Sequence, residues 1–163
     1  MKSSIQLYFP AVVVAIADTM PKTHQIACAQ GQRVLYVDDE EDLIYLMKRI
    51  LKRLGYEVIG YTDPVAALQE FRSRPGDFGV VVSDLSMPNM SGFDLAREVL
   101  AIRPEIPILL TSGYVRLEDK QEAQRLGIRD LIPKLNTYEE LGKRLDSLFR
   151  EIQIPVQGHL GSE

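Results

Sequence analysis

Asp38 and Asp39 stand side by side, Asp84 precedes Leu85-Ser86-Met87-Pro88, Thr111 adjoins Ser112, and Lys134 follows Pro133. Acids, a hydroxyl and an amine are equipment for chemistry on an anion. Carboxylates gathered in one place repel each other, so they must either bind protons or recruit a cation. A divalent metal is the economical answer. Magnesium suits such a site because it takes a few oxygen ligands and keeps waters that phosphate oxygens can replace. Cys28 is the only cysteine, which excludes a C-x-x-C zinc or redox centre. Taken singly, each residue has a plainer reading. Asp38 or Asp39 could cap a helix, Asp84 could belong to a turn, and Lys134 could be a surface lysine. Whether they act together depends on the elements that carry them.

From Arg33 onward, short β-branched runs alternate with segments whose apolar residues recur at helical spacing, the signature of a βαβ series. Val34-Leu35-Tyr36-Val37 reads as a first strand. Leu43, Leu46, Met47, Ile50, Leu51 and Leu54 supply the apolar face of the helix after it, which Gly55 closes. Glu57 to Tyr61 is a second strand, and Pro64 opens a helix carrying Ala67, Leu68 and Phe71, ended by Pro75-Gly76. Gly79-Val80-Val81-Val82-Ser83 is a third strand, continuously apolar as expected where helices cover both faces. Phe93, Ala96, Val99 and Leu100 mark the third helix, and Ile106 to Leu110 the fourth strand, with Pro107 at its beginning. Leu117 to Leu126 is a charged fourth helix with few apolar anchors, so its position should shift easily. Asp130 to Pro133 is a fifth strand, and Leu141, Leu145, Leu148, Phe149 and Ile152 form the seam of a last helix.

Strands and helices in strict alternation, joined by right-handed crossovers, predict an α/β chain with one flavodoxin-like, doubly wound (βα)5 domain. Its five-stranded parallel sheet takes the order 2-1-3-4-5. The functional crevice of such a sheet lies beyond the carboxyl ends of its strands, at the switch point beside strands one and three. Strand one ends in Asp38-Asp39-Glu40, strand three in Asp84, strand four in Thr111-Ser112, and strand five in Lys134. Each reactive group therefore falls at a successive strand end, an arrangement chance rarely produces.

The 163 residues suit a single domain, with residues 33–152 as its body, 1–32 as an N-terminal extension and 153–163 as a tail. The run Ala11 to Ala17 is too short to cross a bilayer, which needs about 20 helical residues. A signal peptide ending at Ala27-Cys28-Ala29 fits poorly, because Asp18, Pro21, Lys22 and His24 make the gap too long and polar. A formal charge of -4 argues against a nucleic-acid footprint. The lone cysteine suits a reducing, cytoplasmic setting without membrane contact.

The residues from about Arg33 to Glu151 resemble the receiver domain of bacterial two-component response regulators. Val34 to Glu40 is similar to the family's opening strand with its acidic pair, and Asp84-Leu85-Ser86-Met87-Pro88 to its phosphoacceptor loop. Gly92 matches as well, Thr111 stands at the switch threonine, and Lys134 at the lysine. Thr111-Ser112-Gly113-Tyr114 is similar to receivers attached to hybrid sensor kinases.

The resemblance implies that Asp84 takes a phosphoryl group from a sensor histidine kinase or a histidine phosphotransfer protein. Asp39, Asp84 and the Ser86 backbone carbonyl would hold Mg2+, with Asp38 acting through water. Thr111 and Lys134 would clasp the phosphoryl oxygens. Two charge-assisted contacts at about 1.5–3 kcal/mol each, plus the metal, approach the roughly 5.5 kcal/mol that reverses a 1:99 equilibrium. The output surface would be the face of the fourth helix, fifth strand and fifth helix, where two copies could also pair. No external substrate is turned over in this scheme.

Two departures stand out: Leu135 follows Lys134 where the family commonly has proline, and Leu131 occupies the place of an inward-swinging aromatic. They leave a degenerate receiver, acting as a phosphorylation-independent scaffold, as the alternative. A haloacid-dehalogenase-like hydrolase would want an acid where Ser86 stands, and a flavin-binding protein would want a glycine-rich loop where Asp38 and Asp39 stand.

Overall fold

The computed structural model describes residues 32–134 and 137–153. The remainder of the extension and of the tail, and Leu135 with its bond to Lys134, lie outside the described residues. The elements are β1 (Arg33–Val37), α1 (Glu41–Arg53), β2 (Glu57–Tyr61), α2 (Pro64–Ser73), a 3₁₀ turn (Pro75–Asp77), β3 (Val80–Asp84), α3 (Gly92–Ile102), β4 (Ile108–Ser112), α4 (Leu117–Leu126), β5 (Asp130–Pro133) and α5 (Thr137–Gln153). All the strands pair in parallel in the order β2-β1-β3-β4-β5.

Alternate strand residues face opposite sides, and both sides are buried. Leu35, Val37, Val81 and Leu110 pack with Ala67, Leu68 and Phe71 of α2, Leu95, Ala96 and Val99 of α3, and Ala123 of α4. Val34, Tyr36, Val80, Val82, Leu109 and Ile132 pack with Ile44, Met47 and Leu51 of α1 and Leu141, Leu145, Leu148 and Phe149 of α5. Burying one such aliphatic or aromatic side chain contributes about 1.5–3 kcal/mol, so this two-sided packing holds the strand ends in place.

Local chemistry sets the element ends. Asp63 caps α2 by accepting from the Val65 N–H, with Pro64 in the first turn. Gly55 (φ 92°) and Gly127 (φ 76°) close α1 and α4 in the left-handed conformation that glycine adopts without steric cost. β4 begins two residues later than the periodicity predicts. Pro107 has no N–H for the ladder, although its carbonyl accepts from Val81 N at 3.1 Å.

Two predicted core positions are not core. Leu46 is 37% exposed on α1, where Ile44 is buried in its stead, and Ile152 is 58% exposed on the last turns of α5. Apolar runs on these helices are wider than the strip the sheet covers. At the amino end of the sheet, Ile152 and Phe149 share a groove with Gln32, Arg33, Arg103 and Glu105.

Tyr56 stacks on Phe149 with ring centroids 5.4 Å apart, and its buried hydroxyl has no hydrogen-bond partner among the described residues. Burial pushes its phenol up to about 12. A buried hydroxyl without a partner costs about 1–3 kcal/mol. Tyr56→Phe, which keeps the stacked ring, is therefore expected to raise stability by about 1 kcal/mol in urea unfolding.

Candidate functional site

Parallel pairing places the carboxyl ends of β1, β3, β4 and β5 in one row. Val37 pairs with Ser83 and Asp84 with Thr111, so Asp38 and Asp84 emerge from neighbouring strands at the same level. One carboxylate oxygen each of Asp38, Asp39 and Asp84 lies within 4.8 Å of the others. Asp38 is fully buried and Asp84 nearly so, while Asp39 is exposed. Lys134, immediately past β5, brings its Nζ to 3.0 Å from Asp38 Oδ2, 3.3 Å from Glu40 Oε1 and 3.5 Å from Asp84 Oδ1. It does so although Leu135 follows it.

The backbone of the pocket is tied down. Asp38 N donates to Tyr61 O, and Asp38 Oδ1 accepts from Glu40 N at 3.0 Å, an Asx turn rather than a helix cap. Leu85 N donates to Thr111 O at 2.8 Å, and Gly92 N to Leu85 O at 2.9 Å. Ser91 and Asp94 form a capping box that fixes the start of α3 directly after the Asp84 loop. A Cβ on Gly92 would lie 2.4 Å from the Asp84 carbonyl oxygen, so only glycine lets α3 approach this closely. Thr111 is fully buried, with its hydroxyl donating to Ser83 O at 3.5 Å. Ser86 lies exposed in the loop beyond Asp84. Leu131 pairs with Leu110 across the ladder and packs, half-buried, against the α2, α3 and α4 side of the core.

The electrostatics are unbalanced. Burial pushes Asp84 above the usual carboxylate range, and the Asp38 and Asp39 charges add to that rise while Lys134 opposes it. Burial likewise raises Asp38, against the pull of the Glu40 N–H and of Lys134. For Lys134, burial alone would lower the pKa, but Asp38, Asp84 and Glu40 together hold it above the usual lysine value. Asp38 Oδ2 is buried and accepts no hydrogen bond among the described residues, although the Lys134 ammonium is ion-paired with it at 3.0 Å. Acids outnumber the ammonium, two of them are buried, and one buried oxygen lacks a full set of partners. This donor set is all oxygen and fits a hard dication such as magnesium.

A model of the response regulator receiver domain matches residues 34–146. The chain belongs to this family. Over 121 residues it is 34% identical to the transcriptional regulatory protein RprY of Bacteroides fragilis, covering 74% of this chain and 50% of RprY. It is 30% identical over 132 residues to the two-component response regulator ORR25 of Oryza sativa, covering 81% of this chain and 19% of ORR25. The chain thus spans half or less of these two relatives. Among solved structures, response regulator TrrA of Thermotoga maritima, in complex with Mg2+-BeF, superposes with a TM-score of 0.64 at 27% identity, covering 72% of this chain and 98% of TrrA. This chain is accordingly a receiver domain related to two-component response regulators, and no observation favours the degenerate alternative.

The receiver pocket brings together Asp38, Asp39, Asp84 and Lys134, with Thr111 across the ladder from Asp84. Glu40 also reaches Lys134, a partnership the sequence reading did not assign. The two residues are 94 positions apart, and no local pattern links them. No helix among the described residues is long and apolar enough to cross a membrane.

Proposed function

We propose that this receiver is phosphorylated on Asp84 by a sensor histidine kinase or a histidine phosphotransfer protein. An Asp84 carboxylate oxygen attacks phosphorus and forms an acyl phosphate. The P–N bond to the donor imidazole breaks, and its electron pair leaves with the imidazole, which takes up a proton. Asp39, Asp84 and the Ser86 carbonyl would hold Mg2+, with Asp38 acting through water. When bound, the metal supplies neutralisation of the charge on the transferring group. The chain's own contribution is positioning: Lys134 faces the oxygens that gain charge, and the Ser91–Asp94 cap and Gly92 hold the Asp84 backbone.

The observation that carries the reading is the Lys134 ammonium lodged between two buried acids from different strands, one of them Asp84. Once the phosphoryl group is in place, Thr111 would exchange its Ser83 carbonyl for a phosphoryl oxygen, and Leu131, one strand over, would feel the shift. α4 is the element best suited to move, since Ala123 is its one buried residue and an Arg97–Glu122 ion pair ties it to α3. The face of α4, β5 and α5 is therefore the proposed output surface, for a protein partner or a second copy. Residues 33–152 would carry the whole switch, in a cytoplasmic setting, without turnover of an external substrate.

Incubation with magnesium and acetyl phosphate is expected to add one phosphoryl mass to the wild-type chain and none to Asp84→Asn. Retention of the label in Asp84→Asn would sink the assignment.

A further inference from the structure

We infer that Glu40 is a positioning residue that holds Lys134 in the unphosphorylated receiver and yields it to the incoming phosphoryl group. The inference rests on the Asp84 phosphoacceptor reading and names the group that must give way for it to work.

An ammonium has three N–H donors. Lys134 Nζ is ion-paired with three carboxylates, Asp38 at 3.0 Å, Glu40 at 3.3 Å and Asp84 at 3.5 Å, and it donates a hydrogen bond to Glu40 while the buried Asp38 Oδ2 receives none. A phosphoryl oxygen that reaches Nζ competes with these three pairings, and the hydrogen bond to Glu40 is the one a donor must leave. Asp84 is the residue being phosphorylated, and the phosphoryl oxygens it acquires are what Lys134 must reach. Asp38 is fully buried, and its other oxygen is held by the Glu40 N–H, so it has no water to turn to. Glu40 differs: its side chain is 62% exposed, and releasing it returns a carboxylate to solvent at little cost.

The start of α1 shows that the Glu40 side chain is not needed for the helix. Glu40 is the N-cap residue, and its carbonyl accepts from Leu43 N and Ile44 N. Its carboxylate makes no capping bond, unlike the side chains of Asp63 and Ser91 at the starts of α2 and α3. Serine, aspartate or asparagine would cap this helix better than glutamate. Glu41 and Asp42 in the first turn already meet the positive end of the helix dipole. The longer glutamate at this position is spent on Lys134 instead.

The test uses the full chain at saturating magnesium, with beryllofluoride as the phosphoryl mimic titrated by calorimetry and 19F NMR. Wild type, Glu40→Gln and Glu40→Asp are compared. Glu40→Gln removes the competing anion and is expected to bind beryllofluoride about two- to five-fold more tightly, the scale of one partly exposed ion pair. Its unfolding midpoint and its affinity for magnesium alone should not rise. Glu40→Asp keeps the charge, but its shorter side chain withdraws from Nζ and is favoured as a helix cap. It should share the gain. Unchanged or weaker binding by Glu40→Gln would overturn the inference while leaving Asp84 as acceptor. A gain confined to Glu40→Gln would also overturn it, because the effect would then be charge at the mouth rather than the Lys134 pairing. Failure of wild type to bind the mimic would remove the phosphoacceptor reading, and this inference with it.

Discussion

Lys134→Ala is expected to slow phosphoryl uptake from acetyl phosphate by about 10²–10³-fold, the loss seen when one donor aimed at developing charge is removed. The same substitution leaves Asp38 and Asp84 buried side by side without their cation, and should destabilise the magnesium-free chain by about 1.5–3 kcal/mol at neutral pH. The pH dependence has a definite sign. Both carboxyls already titrate above their ordinary value of 3.8, chiefly through burial, and Lys134 opposes that rise. Without the ammonium they rise further. A group whose pKa is higher folded than unfolded costs stability as pH climbs through the folded value. The deficit of Lys134→Ala should therefore be absent at acid pH, where both carboxyls are protonated, and open fully as pH climbs towards neutrality. Urea unfolding across that range measures it. A deficit independent of pH would mean that Lys134 acts through packing rather than charge.

Gly92→Ala should be nearly as damaging, although it removes no reactive group. The added methyl would sit 2.4 Å from the Asp84 carbonyl oxygen, 3.0 Å from Leu85 Cα and 3.2 Å from the Asp84 carbonyl carbon, all of them backbone. Nothing there can rotate aside, so α3 must retreat from the loop, at a cost of about 1–3 kcal/mol. A displacement of Asp84 by about 1 Å would slow labelling by about 10²-fold. Gly113 is the control: it lies beside Thr111 and Ser112, yet a Cβ there meets nothing within 4 Å. Gly113→Ala should unfold and label as the wild type does. A stable, fully active Gly92→Ala protein would show that the close approach of α3 is dispensable.

How far the sequence alone reached follows from which forces are local. Strand ends are local: Asp84 ends β3, Thr111 and Ser112 end β4, and Asp38 and Lys134 directly follow β1 and β5, so this row is legible in the sequence. Parallel order followed from the alternation of strand and helix. Burial is not local. Leu46 and Ile152 keep helical spacing with true core residues yet face outward, because the sheet covers only part of each helix. Leu95 is fully buried on α3, although the apolar periodicity of that helix singles out Phe93, Ala96, Val99 and Leu100 instead. Glu40 is the sharpest case. In the sequence it is the third acid of a run, and its meaning depends on a lysine delivered by β5 from the far side of the sheet.

The groove shared by Gln32 and Ile152 has a consequence for handling and for signalling. The backbone enters β1 and leaves α5 at the same pole, opposite the acidic pocket. A module joined directly before Gln32 or after Gln153 therefore attaches behind the domain and leaves the mouth around Asp84 facing outward.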